Sequence, residues 1–196
     1  MEERGEITSP PSYKVIVIGD SSVGKTSIAI RICQKTFVSK MAPTIAVSHW
    51  KTNVVVDDID VELKIWDTAG QEEFSSLVPL YTRGSQACLY VANCLDEASI
   101  CHIPLWIESV RSISSDPFPF IVLNKIDLTE DLSSLIISVR EKFNNTSIPL
   151  YFVSAMTGDG VEELFREVAM QIHHNFCESH EFSPLRTEEE KSSCCI

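Results

Sequence analysis

Nine residues, Gly19-Asp20-Ser21-Ser22-Val23-Gly24-Lys25-Thr26-Ser27, follow the apolar run Val15-Ile16-Val17-Ile18. Packing a core does not call for them. Gly-x-x-x-x-Gly-Lys-Thr between a strand and a helix is the pattern of a phosphate-binding loop. The glycines admit backbone conformations that other residues resist, and successive N–H groups then turn inward as an anion nest. A helix beginning at Lys25 adds its positive dipole end. Lys25 supplies a point charge for β and γ phosphates, and the Thr26 hydroxyl is a ligand for Mg2+. Such a loop sits between a buried strand and the helix that follows it.

The rest of the chain fits that demand. Lys14–Gly19, Gln86–Asn93, Phe120–Asn124 and Leu150–Ser154 read as buried strands. Helical spacing appears at Thr26–Cys33, at Ile103, Trp106, Ile107 and Val110, at Leu132 to Phe143, and at Val161 to Ile172. Pro104 is expected in a first turn, where it is tolerated. Ser48–Val56 and Ile59–Trp66, separated by Asp57-Asp58, read as a hairpin. The expected fold is α/β: a doubly wound, mostly parallel six-stranded sheet with one antiparallel edge strand and helices on both faces.

Charge and cysteine usage narrow the function. The chain has 196 residues, a net charge of −12 and seven cysteines without CxxC spacing. A reduced compartment is the simplest setting, and an acidic chain is a poor partner for nucleic acid. An anionic ligand remains feasible because local donors and Mg2+ offset the global field. No apolar run spans a bilayer, and no signal peptide is expected at the start.

Two further motifs specify the ligand. In Leu123-Asn124-Lys125-Ile126-Asp127-Leu128, the Asp127 carboxylate can accept from both the N1–H and the N2 amine of guanine. Adenine lacks that donor pair. Asn124 can bond the base edge and brace the loop, and the Lys125 stem can cover the ring. The motif ends a predicted strand, where doubly wound sheets bind ligands. In Trp66-Asp67-Thr68-Ala69-Gly70-Gln71, Asp67 can hold Mg2+ through water, Gly70 offers an N–H near a γ-phosphate, and Gln71 can orient an attacking water.

Together these motifs resemble the Ras superfamily of small GTPases. Trp66 to Glu72, Arg83-Gly84 after Tyr81-Thr82, and the paired Cys194 and Cys195 are similar to the Rab family, with residues 76–87 nearest its endosomal branch. The resemblance implies a P-loop NTPase fold, GTP hydrolysis to GDP, and a switch that recruits effectors for vesicle trafficking. It divides the chain into a flexible lead-in (1–12), a small GTPase domain (13–175) and a disordered hypervariable tail (176–196) that carries the terminal cysteines. Thr44 then matches the switch threonine that binds Mg2+ and the γ-phosphate. Phe37 matches the aromatic packed edge-on against the base, and Ser154-Ala155 the loop reaching the guanine oxygen. The implied nucleotide set is Gly19, Ser21, Ser22, Val23, Gly24, Lys25, Thr26, Ser27, Phe37, Thr44, Gly70, Asn124, Lys125, Asp127, Ser154, Ala155 and Met156. Mg2+ falls to Thr26, Thr44 and Asp67, and catalysis to Gln71. Implied partners are GTP and GDP, an exchange factor, a GTPase-activating protein, effectors, a prenylation escort and a GDP-dissociation inhibitor, around a monomer.

Departures from the family pattern fall on the partner-facing surface. Ala46 stands for Gly, His49 for Phe, Glu73 for Arg, Met156 for Lys and Asn93 for Asp. The Phe replaced by His49 belongs to an aromatic triad read by effectors, completed by Trp66 and Tyr81. Trp50 either supplies the missing aromatic surface or packs on the hairpin. These changes keep a second reading open, a nucleotide-loaded scaffold with little hydrolysis or switching. An ATP-dependent kinase is disfavoured by Asn124-Lys125-Ile126-Asp127. At the tail, Ser193 occupies the position a C-a-a-X cysteine would need. The paired cysteines instead resemble the substrate of the Rab prenylation system. Two lipids are expected because one gives marginal membrane binding and the acidic Glu188–Glu190 cannot serve as a basic second signal. The expected location is the cytosolic face of endomembranes, in the endosomal system, cycling with the cytosol.

Overall fold

A computed structural model describes residues 10–39, 41–42, 44, 47–69, 81–112 and 117–181, with side chains to 177. The elements in chain order are β1 (Ser12–Ile18), α1 (Lys25–Gln34), β2 (Val47–Val56), β3 (Ile59–Thr68), β4 (Ala87–Asn93), α2 (Glu97–Arg111), β5 (Phe118–Asn124), α3 (Leu132–Lys142), β6 (Leu150–Phe152) and α4 (Val161–Glu181). The strands form one sheet in the order β2-β3-β1-β4-β5-β6. All neighbours pair in parallel except β2 with β3. This is the doubly wound sheet with one antiparallel edge that the sequence predicts.

Alternation along β1 explains the two layers. Val15 and Val17 face a core made with Ile28, Ala29 and Ile32 of α1 and Leu164, Phe165 and Val168 of α4. Ile16 and Ile18 face the other core, with Ile103 and Ile107 of α2 and Val139 of α3. The buried stripe of α4, from Val161 to Ile172, contributes about 1.5–3 kcal/mol per large side chain as an upper estimate. The β2–β3 turn is a two-residue hairpin with Asp57 at φ 49° and Asp58 at φ 64°. Both central residues are left-handed, as a type I′ turn requires, and Asp tolerates that region better than most.

Two boundaries differ from the sequence reading. Pro104 lies well inside α2, because that helix starts at Glu97 under an Asp96 cap whose carboxylate accepts from the Ala98 N–H at 3.1 Å. The Ile100 carbonyl thereby loses its helical donor. Pro104 itself is exposed, whereas Ile100 is buried. At the other end, α4 stays helical beyond the compositional boundary at 176. Its last turns are tied down: the Tyr13 hydroxyl pairs with His173 Nδ1 at 3.0 Å, and Phe176 packs edge-on against the Tyr13 ring. His174 also bonds Asp57 in the hairpin turn.

Candidate functional site

The carboxyl ends of β1 and β5, with α1 and the segments after β5 and β6, enclose a cleft of about 580 Å³. Its two glycines owe their identity to close approach as much as to backbone freedom. Gly19 (φ 147°) crosses β4 so tightly that a Cβ would stand 2.1 Å from the Val91 carbonyl oxygen. At Gly24 (φ 99°), a Cβ would stand 2.2 Å from Asn124 Nδ2. No side chain fits at either distance.

Lys25 caps this loop from inside. Its Nζ donates to the Gly19 and Asp20 carbonyls at 2.8 and 2.6 Å. An ammonium has three donors, so one remains for a ligand. Burial pushes its pKa down to about 8, against the upward pull of Asp67 and Asp20. A nearby anion would offset that cost of burial.

Beside Lys25 lies a set of oxygens. The Thr26 hydroxyl donates to Asp67 Oδ2 at 2.6 Å and stands 2.9 Å from the Thr44 hydroxyl. Asp67 is fully buried, and its Oδ1 has no hydrogen-bond partner. Burial raises its pKa to about 6, outweighing the Thr26 bond and the Lys25 charge. An orphaned buried carboxylate oxygen is costly. Among the described residues no cluster of three His, Cys, Asp or Glu is present. Two hydroxyls and a carboxylate suit a hard cation such as Mg2+, which keeps waters and takes phosphate oxygens to complete its shell.

The far end of the cleft is built around Asn124. Its Nδ2 donates to the Val23 carbonyl at 2.9 Å, and its Oδ1 accepts from the Ala155 N–H at 3.0 Å. The side chain therefore acts as a brace joining the first loop to the loop after β6. Asp127 Oδ1 accepts from the Ser154 hydroxyl. Lys125, at φ 69°, presents its stem to the cleft.

Thirteen of the expected residues line this one cleft: Ser21, Ser22, Gly24, Lys25, Thr26, Ser27, Phe37, Thr44, Asn124, Lys125, Asp127, Ala155 and Met156. Gly19, Val23, Asp67 and Ser154 stand behind the lining. Phe37 and Met156 are exposed at the rim. Gly70, Gln71, Cys194 and Cys195 lie outside the described residues, as do Ala46 and Glu73.

The sequence reading missed two supports. Arg31 donates from Nε to the Ala155 carbonyl at 2.8 Å and from its terminal nitrogens to Met156 and Lys35, clamping the loop after β6 to α1. Asp20 is gripped from α2 by Trp106 Nε1 at 2.8 Å and His102 Nδ1 at 2.7 Å. The i, i+4 spacing of His102 and Trp106 is the one local signal of that grip.

The departures also take definite places. Trp50 packs against the core shared by α1 and α4, so it does not extend the surface at Trp66. His49 meets the Trp66 ring edge-on, with centroids 4.1 Å apart. The Asn93 side chain accepts from the Leu95 N–H and shapes the turn after β4.

The comparisons agree with this geometry. Residues 14–174 match the family model described as Ras family. Ras-related protein RabG2 of Dictyostelium discoideum is 32% identical over 171 residues, covering 86% of each chain. Ras-related protein Rab-4 of the same organism is 37% identical over 153 residues, 78% of this chain and 75% of its own. Ras-related protein Rab-21 of Mus musculus is 33% identical over 162 residues, 82% of this chain and 73% of its own. With a six-stranded sheet of the expected order and a match over most of its length, the chain belongs to the Ras family as a Rab-type small GTPase, an enzyme that hydrolyses GTP.

Proposed function

We propose that the cleft holds GTP or GDP with Mg2+, and that the γ-phosphate sets which partners the protein engages. One observation carries this reading: through Asn124, the loop with Lys25 and the loops with Asp127 and Ala155 become a single rigid rim. Phosphate-binding and base-reading groups then face one cleft from its two ends. When bound, Mg2+ neutralises charge on the β and γ phosphates. Thr26, Thr44 and Asp67 would hold it, and the orphaned Asp67 oxygen would gain a partner among its waters. Lys25 directs its remaining donor at phosphate. Asp127, set by Ser154, accepts from guanine N1–H and N2. Gln71 orients the attacking water, and Gly70 donates its N–H to the γ-phosphate.

Loss of that phosphate removes the contacts to Thr44 and Gly70, and the segments around them change their partners. The output is recruitment of effectors in vesicle trafficking, with an exchange factor, a GTPase-activating protein and a GDP-dissociation inhibitor governing the cycle. Prenyl groups on Cys194 and Cys195, delivered by an escort protein, attach the chain to endosomal membranes. No helix among the described residues is long and apolar enough to cross a membrane.

The test is competition of a fluorescent GTP analogue by GTP, GDP, ATP and XTP, followed by single-turnover hydrolysis. Guanine nucleotides should displace the probe, and ATP should not. Displacement by ATP would overturn the base assignment. Equal capture of partners by GDP- and GTP-loaded protein would favour the scaffold reading.

A further inference from the structure

Helices α2 and α3 meet through a cysteine, a lysine and a carboxylate that the nucleotide reading does not use. Glu97 and Cys101 stand one turn apart on α2, at the i, i+4 spacing that puts them on one face. Lys142 is the last residue of α3. Its Nζ donates to Glu97 Oε1 at 3.0 Å and to Cys101 Sγ at 3.1 Å. The Glu97 contact alone is an ordinary exposed ion pair, worth little to stability. The sulfur contact is the unusual part. Free cysteine is among the most buried residue types. Among the described cysteines, Cys88 and Cys94 are buried and Cys33 is half-buried, whereas Cys101 and Cys177 are exposed. Cys177 faces the His173 imidazole, with Nε2 3.7 Å from its sulfur. Cys101 faces an ammonium.

Reactivity follows from that contact. The thiolate is the form of cysteine that attacks an electrophile, and an adjacent cation favours it. The Lys142 pKa is raised, first by its hydrogen bond with Cys101 and then by Glu97. The amine is therefore protonated while the sulfur is reduced, and it holds negative charge on that sulfur. Burial acts the other way elsewhere, pushing the Cys33 thiol up to about 11 and raising that of Cys88 as well.

We infer that Cys101 is a peroxide-sensitive site whose oxidised sulfur is captured by Lys142 as a covalent S–N link between α2 and α3. First, the Cys101 thiolate attacks one oxygen of hydrogen peroxide. The O–O bond breaks, hydroxide leaves and takes a proton from solvent, and sulfur is oxidised by two electrons to a sulfenic acid. That change removes the contact that most strongly held Lys142 protonated. The ammonium then passes one proton to Glu97 and on to solvent. Its nitrogen attacks sulfur, the S–O bond breaks, and the departing hydroxide takes a second proton from nitrogen and leaves as water. The product is a sulfenamide between Sγ and Nζ, with no further oxidant consumed. A thiol reverses it by attacking sulfur and returning the amine, and a second thiol frees Cys101. Cys101 adjoins His102, whose ring holds Asp20 of the phosphate loop. The link thus fastens α3 to the helix that grips that loop. The inference goes beyond the nucleotide reading and stands or falls separately from it.

The test is peptide mapping of the full chain after hydrogen peroxide, alkylation and trypsin. A peptide joining Cys101 to Lys142 should appear, lighter than its two parts by two hydrogens. Trypsin should no longer cut after Lys142, and dithiothreitol before digestion should restore the cut. Lys142→Arg keeps a cation at the sulfur and removes the nucleophilic amine. Dimedone should then label Cys101, and no linked peptide should form. Lys142→Gln removes the cation and should slow labelling of Cys101 severalfold. Cys177 is the internal control, labelled without a link to lysine. Peroxide should raise the melting temperature of the parental chain and not that of Lys142→Arg. Recovery of Cys101 as a free thiol under peroxide that labels Cys177 would overturn the inference. So would a linked mass that retains an oxygen, parental labelling in Lys142→Gln, or oxidation of parental Cys101 with no linked peptide.

Discussion

Replacing Asn124 with Ala separates two roles that one amide could play. The side chain is buried and spends its Nδ2 and Oδ1 on the Val23 carbonyl and the Ala155 N–H. Truncation strands both backbone groups. Each stranded group costs about 1–3 kcal/mol, and water entering from the adjoining cleft recovers part of it. The expected loss is about 2–4 kcal/mol, or about 5–15 °C in melting temperature for a domain of this size. Melting should be followed with saturating GDP and Mg2+ and again after chelation, because a bound ligand raises apparent stability. The loss should appear in both conditions. Asn124→Asp is the informative companion. It keeps the acceptor for Ala155 and places an acceptor against the Val23 carbonyl, so it should be at least as damaging as Ala. A fall of less than about 2 °C with complete loss of guanine preference would refute the reasoning and make Asn124 a base reader.

Four further outcomes are expected. Asp127→Asn should weaken GTP binding and shift preference toward XTP, as read by competition titration, because the xanthine edge presents an acceptor where guanine presents a donor. Pro104→Ala should raise the melting temperature, by about 1–3 kcal/mol in stability, because it returns a helical donor to the Ile100 carbonyl at an exposed position where the alanine side chain meets nothing. Trp50→Phe should change stability by about 1 kcal/mol or less, since it removes a buried indole N–H that has no partner, whereas Trp50→Ala should cost about 3–5 kcal/mol in a denaturant titration. Replacing either Cys194 or Cys195 with Ser should remove most membrane residence in cell fractionation, and replacing both should release the protein into the soluble fraction.

The sheet could be read in advance because its strands are short, continuous apolar runs. Val15–Ile18 of β1 and Phe120–Leu123 of β5 are buried on both faces, and no polar residue interrupts either run. The start of α2 was harder. Its first turn carries Glu97, Ala98 and Ser99 and lacks an apolar stripe, so the helix announces itself only through the Asp96 cap. The side on which Trp50 lies was available from strand alternation, since neighbours on a strand face opposite ways. His49 toward Trp66 therefore forces Trp50 toward the core. In the candidate site, motif spacing located the residues at both ends of the cleft. It did not show that Gly24 is held against Asn124, a contact between residues far apart in the chain. The Arg31 clamp was likewise unreadable, and the Asp20 grip left only the i, i+4 spacing of His102 and Trp106, since each joins a common residue to a distant backbone or helix.

The anchoring of α4 gives the molecule two poles. The cleft opens at the carboxyl ends of the parallel strands, among Lys25, Asn124 and Asp127. α4 starts near that end and runs back, so that His173 and Phe176 meet Tyr13 at the start of β1 and His174 meets the hairpin turn. The helix thus passes the start of β1 and the hairpin turn, at the end of the sheet opposite the cleft. An anchor carried beyond Glu181 would act as a leash from below, holding the nucleotide-facing rim away from the surface it is tied to. Regulators arriving from solution could then reach the rim without passing between the protein and the bilayer.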